Sequence, residues 1–136
     1  MYLLDTDILI DLLRPVPTPR LLARVASIPR DQQFAISISL GELIYGARKA
    51  GVPGSPWVQR LSERVAPNLE MLPFDADAAW YYGEIRSDLE RIGIRIGDAD
   101  LRIAAIGRAR DLVVVTGNVR EFQRVQGLVV EDWLRG

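Results

Sequence analysis

Short apolar runs recur along this chain, and helical spacing fills the stretches between them. Tyr2 to Leu4 and Leu112 to Val115 carry no polar residue, so each reads as a strand buried on both faces. Phe34 to Ile38 is a third β-type run, and Leu69 to Leu72 and Leu128 to Val130 complete the strand candidates. Between them, Ile8, Leu9, Leu12 and Leu13 recur at helical spacing until Pro15, Pro17 and Pro19 break the pattern. Further helices are expected over Leu21 to Ile28, Ser39 to Arg48, Trp57 to Val65, Asp75 to Ile92 and Ala99 to Arg110. In the longest, Ala78, Tyr82, Ile85, Leu89 and Ile92 form one stripe expected to face the core. Gly51 to Pro56 and Gly93 to Gly97 read as loops. Strands alternating with helices imply an α/β fold with a mainly parallel sheet. At 136 residues, without repeats or low-complexity stretches, residues 1–136 read as one domain.

Composition narrows the chemistry. The chain has no cysteine and no histidine. Thiolate nucleophiles, disulfides, zinc–sulfur sites, Ser-His-Asp catalysis and histidine ligands are therefore excluded. Chemistry near neutral pH must rest on carboxylates, which points to a hard cation. With 17 basic and 18 acidic residues, bulk charge does not recruit nucleic acid, so such a partner needs a local basic patch or a bridging metal. An acid at position 5 comes too early for a signal peptide, and no apolar run approaches the roughly 20 residues of a membrane span. A soluble cytoplasmic protein is expected.

Ligands in open α/β sheets bind beyond the C-terminal ends of the strands. Asp5 and Asp7 follow the first strand, Glu42 lies one turn into the helix after Phe34 to Ile38, and Asn118 and Glu121 follow Leu112 to Val115. Asp98 and Asp100 open a helix after the glycine-bounded loop. Each has a local explanation as well. Asp5 or Asp7 can cap a helix, Ser39 to Glu42 and Asn118 to Glu121 match capping boxes, and Asp98 and Asp100 suit a helix dipole. Taken jointly, acids at neighbouring strand ends converge, and such a cluster is costly unless a cation or a shared proton relieves it. Oxygen-only clusters suit Mg²⁺ or Mn²⁺.

At these residues the sequence resembles the PIN-domain ribonucleases, and most closely the VapC toxins. The resemblance is carried by Leu4-Asp5-Thr6-Asp7, by Ser39 to Gly46, by Gly97-Asp98-Ala99-Asp100 running on to Ala105, by Val113 to Phe122 and by Val130-Glu131-Asp132-Trp133. It implies a PIN-like three-layer sandwich, with a central, mainly parallel sheet of four to five strands and helices on both faces. It implies that Asp5, Glu42, Asp100 and the more variable Glu121 are the catalytic, metal-holding acids. Thr6, Thr116 and Asn118 then support the acids or contact phosphate, and Asp98 is an outer acid. Asp7 stands where many relatives carry Asn, which leaves open whether it meets metal through water or only caps the helix. The resemblance further implies Mg²⁺-dependent cleavage of structured RNA (tRNA or ribosomal RNA), with Mn²⁺ as a substitute. A homodimer is implied, and a VapB-like antitoxin that gives a heterotetramer or larger assembly.

Arg14, Arg48, Lys49, Arg86 and Arg102 are candidates for RNA phosphate contacts, although most surface arginines only pair locally. Trp57, Trp80 and Trp133 are expected as core or interface anchors. Two alternatives compete. An aspartate-nucleophile phosphatase would also open with Asp5-Thr6-Asp7, but it needs a lysine near phosphate, and Lys49 is the single lysine, at the far end of a helix from Glu42. A catalytically silent module that binds RNA or a partner would have lost acids that are all present here.

Overall fold

The computed structural model describes residues 1–49 and 56–135. β1 (Tyr2–Leu4) leads into α1 (Thr6–Leu12) and α2 (Pro19–Ala26), then β2 (Gln33–Ile36) into α3 (Ser37–Lys49). After α4 (Pro56–Arg60) and a wide π-type turn at Leu61–Val65 come β3 (Glu70–Leu72), α5 (Ala76–Arg91) and α6 (Asp98–Ala109). β4 (Val113–Val115), the single-turn α7 (Val119–Phe122) and β5 (Val130–Glu131) complete the order. The loop expected at Gly51 to Pro56 lies almost wholly outside the described residues.

The five strands form one sheet in the order β3-β2-β1-β4-β5, and every pairing is parallel. Leu3 aligns with Val114 and Leu4 with Val115, so alternate residues feed opposite faces. Leu3, Ile36, Leu72 and Val114 pack on one face with Ile85, Leu89, Leu101 and Ile103 from α5 and α6. Leu4, Ala35 and Val115 pack on the other with Ile8, Leu9, Leu21, Leu43 and Val65. This is the three-layer α/β arrangement expected, with helices on both faces of the sheet.

Close packing depends on Gly107 of α6. A Cβ there would stand 2.9 Å from Val114 Cγ2 and 3.1 Å from Leu128 Cδ1, so only glycine lets this helix lie so near β4. The end of α1 is closed by distant arginines. Arg60 donates to the Leu13 carbonyl at 2.8 Å, and Arg64 donates to those of Leu12 and Arg14 at 3.1 and 2.9 Å.

Several expectations need correction. Ile92 is 68% exposed, because α5 ends at Arg91 and Gly93 turns the chain with φ +74°. The Ile94 and Gly93 amides donate back to the carbonyls of Leu89 and Glu90, which closes the helix and leaves Ile92 outside the stripe. Trp80 is 72% exposed and donates from its indole to Glu84, so it anchors no core here, whereas Trp133 is buried. α3 begins two residues earlier than expected, at Ser37, which places Ser39 inside the helix. Among the described residues no helix is long and apolar enough to cross a membrane.

Candidate active site

Asp5 leaves β1 in an extended conformation (φ −69°, ψ 161°) and caps α1. One carboxylate oxygen accepts from the Thr6 amide at 2.7 Å, and the other accepts from the Thr116 hydroxyl at 2.8 Å. Its own amide donates to the Val115 carbonyl, prolonging the β1–β4 ladder. The capping reading of Asp5 is therefore correct, and it does not compete with the functional one. Asp5 is only 5% exposed. Burial, and then the charge of Asp7, push its carboxyl up to about 7, against the hydrogen bonds from Thr116 and Thr6, while Asp100 adds a smaller push.

The remaining acids arrive from three other segments. Asp100, half-buried in the first turn of α6, is held above the usual carboxylate range by burial, then by the charges of Glu121, Asp7 and Glu42. Thr6 joins α1 to α3: its hydroxyl lies 2.7 Å from the Ser39 hydroxyl and donates to Glu42 at 3.4 Å. Ser39 is completely buried, and this contact replaces the capping box expected from Ser39 to Glu42. The second expected capping box also fails, because the Asn118 side chain makes no capping bond. Instead the Asn118 amide donates to Thr116 Oγ1 at 2.9 Å, and Thr116, wholly buried, passes its proton side to Asp5.

Asp7 does not cap α1. Its Oδ2 accepts from the Gly117 amide at 2.9 Å, and its Oδ1 is buried with no hydrogen-bond partner. Asp98 shares the first turn of α6 with Asp100 and makes its bonds to other residues. It pairs with Arg102 at 2.9 Å and accepts from the Tyr82 hydroxyl, to which Arg86 donates at 3.2 Å. Glu121 pairs with Arg124 at 3.5 Å. Sequence reasoning did not single out Gly117 or Tyr82. A hydroxyl on the stripe of α5 was the one hint for Tyr82, and Gly117 offered none beyond its place in a turn.

The basic candidates divide. Arg86 and Arg102 stand in the Tyr82–Asp98 network beside Asp100. Arg14 lies past the end of α1 from Asp5, paired with Asp11 at 3.2 Å. Arg48 and Lys49 occupy the last turn of α3, about 9 Å or more of helix rise beyond Glu42, with Lys49 over the Tyr45 ring. Lys49 thus stands about two helical turns beyond Glu42.

Among the described residues no three acids stand in ligand geometry around one point. The donor set nonetheless fits a hard divalent ion. It is made of oxygen alone, and Asp5 and Asp100 each carry unrelieved like charge from their neighbours. Mg²⁺ keeps several waters and takes one or two carboxylates directly, so a loosely gathered set suits it.

Residues 2–128 match the family model for the PIN domain. The chain belongs to the PIN-domain family. The tRNA(fMet)-specific endonuclease VapC of Shigella flexneri is 36% identical over 132 residues, covering 97% of each sequence. Among solved structures, FitAcB from Neisseria gonorrhoeae matches with a TM-score of 0.87 at 30% identity, over 100% of both chains. DNA-bound VapBC from Salmonella typhimurium matches at 0.84 with 36% identity, over 97% of both. This PIN domain thus has VapC relatives along essentially its whole length, and the phosphatase alternative falls.

Proposed function

We propose that this PIN-domain chain is the toxin half of a type II toxin–antitoxin pair and a divalent-metal-dependent endoribonuclease acting on structured RNA in the cytoplasm, with residues 1–136 as one working domain. The observation that carries the reading is mutual: Asp5, Asp7, Glu42, Asp100 and Glu121 act on one another's charge at the strand ends of a chain without histidine. The Shigella relative's specificity makes tRNA the first substrate to test. The DNA-bound VapBC of Salmonella supports a VapB-like antitoxin as partner; a toxin homodimer and an assembly of heterotetramer size or larger complete the proposal.

Asp5, Glu42, Asp100 and Glu121 would hold Mg²⁺, or Mn²⁺ in its place. When bound, the ion supplies a water of lowered pKa and a counter-charge for the phosphodiester. The protein's share is positional. Asp5 is fixed from two sides by the Thr6 amide and the Thr116 hydroxyl, so its carboxylate enters the site already oriented. Thr6 holds Glu42 beside it. Thr116 and Asn118 set the turn that delivers Glu121 opposite Asp100. Arg102 and Arg86, gathered by Asp98 and Tyr82, offer phosphate contacts at one rim.

The purified chain should cut tRNA with Mg²⁺ or Mn²⁺ and stop in EDTA. Asp5→Asn should lower cutting by roughly a hundredfold or more, at or beyond the upper end of what losing a metal-supporting group costs. Hydrolysis of small phosphate esters with RNA left intact would refute the nuclease reading. So would tight RNA binding without cleavage under every divalent ion.

A further inference from the structure

We infer that Asp7 is a positioning residue, whose carboxylate ties the Thr116–Asn118 turn to the start of α1 as a hydrogen-bond acceptor rather than as a negative charge. The turn is stitched at three successive residues. Thr116 donates to Asp5 Oδ2 at 2.8 Å, the Gly117 amide donates to Asp7 Oδ2 at 2.9 Å, and the Asn118 amide returns to Thr116 Oγ1 at 2.9 Å. The middle stitch is built to measure. A Cβ on Gly117 would stand 2.8 Å from Asp7 Oδ2 and 3.1 Å from Leu134 Cδ1, so the approach of carboxylate to backbone requires glycine there. α7 starts one residue after the turn and is only four residues long, with no side-chain cap from Asn118. A helix that short does not place itself, so the position of Glu121 follows from the turn. The orientation of the Thr116 hydroxyl, and through it of Asp5, follows from the same three residues.

The case for an acceptor rather than a charge comes from the other oxygen. Asp7 Oδ1 is buried without a partner, and the charge of Asp7 lies against both Asp5 and Asp100. In the metal-free protein that charge opposes assembly, while the bond to Gly117 supports it. An asparagine could keep its carbonyl on the Gly117 amide and set its NH₂ where Oδ1 has no partner.

The activity arm of the test rests on the nuclease reading; the exchange arm does not. In metal-free protein, Asp7→Ala should speed hydrogen exchange at the Gly117 and Asn118 amides about fivefold, the loss expected for one hydrogen bond. Cleavage of tRNA should fall in kcat with KM nearly unchanged, because the reacting groups are misplaced and the RNA rim is not. Asp7→Asn should recover most of both losses. Gly117→Ala should mimic Asp7→Ala in the wild-type background and add little to it in the double variant, since the clashing oxygen is then gone. If Asp7→Ala does not fold, Asp7→Ser, too short to reach Gly117, takes its place. The inference is overturned if Asp7→Asn is as impaired as the alanine variant, if Gly117 exchange is unmoved, or if the Asp7 and Gly117 effects multiply independently. A wild-type protein that cuts no RNA would sink the nuclease reading while the exchange arm still decides the stitch.

Discussion

Removing metal should make this protein less stable as pH rises from 5 to 8, and Asp5 sets the size of the effect. Its carboxyl titrates at about 7 in the fold against 3.8 when exposed. Between those values the folded chain binds a proton that the unfolded chain has released, so acidification through this window favours the fold and alkalinisation opposes it. The contribution is fully present below pH 3.8 and gone above about 7. Integrated from pH 5 to pH 8, a shift of this size amounts to about 2–3 kcal/mol lost. Asp100, raised by burial and by Glu121, adds to the loss in the same direction. Asp11, lowered by its bonds to Thr18 and Arg14, acts oppositely, but its contribution is complete by the lower end of the range. Urea denaturation in EDTA across this range should therefore show the midpoint falling by about 1 M or more with rising pH. Asp5→Asn should flatten most of the slope, leaving the part due to Asp100. Saturating Mn²⁺ should stabilise the wild type far more at pH 8 than at pH 5, since the ion must displace protons at low pH. A metal-free stability independent of pH, or an equal slope in Asp5→Asn, would refute the reasoning.

Other consequences are more local. Asp100 makes no capping bond, so Asp100→Asn should leave the metal-free melting temperature unchanged or raise it while abolishing cleavage; a large fall would mean the carboxylate serves the helix instead. Ser39→Ala removes the partner of the Thr6 hydroxyl at a completely buried site and should cost about 1–2 kcal/mol in chemical denaturation. Gly107→Ala drives a methyl against Val114 and Leu128 and should cost about 1–3 kcal/mol, with α6 displaced from β4 in a crystal structure of the variant.

What the amino-acid order reveals about this protein, and what it hides, divides by the range of the interactions. The strands were legible because both faces of the sheet are covered, so Tyr2 to Leu4 and Val113 to Val115 have no polar side to show. Asp5, Glu42 and Glu121 could be placed because a strand end fixes where the next few residues lie, whereas Asp100 follows a loop. The start of α3 was not legible, since Ser37 and Ile38 read as the end of the β-type run, and a half-buried Thr6 hydroxyl from 33 residues earlier gives Ser39 its place. Ile92 extended a correct stripe by one step too many, because the closing glycine turn outranks periodicity.

Asp7 shows the limit most sharply. In sequence it is one more acid at a helix start, where a local cap would satisfy it. Its partner is the backbone of Gly117, 110 residues away, and a backbone amide leaves no side-chain signature. The two acids of Asp5-Thr6-Asp7 therefore look alike in sequence but meet different demands. Asp5 takes two donors, which orient it and partly offset the cost of its burial. Asp7 takes one donor and leaves an oxygen unsatisfied against its neighbours' charge. The metal-free site thus stores repulsion that the rest of the fold must carry. A divalent ion would reverse that balance, and the same acids that weaken the empty protein would then tie four separate segments of the chain together.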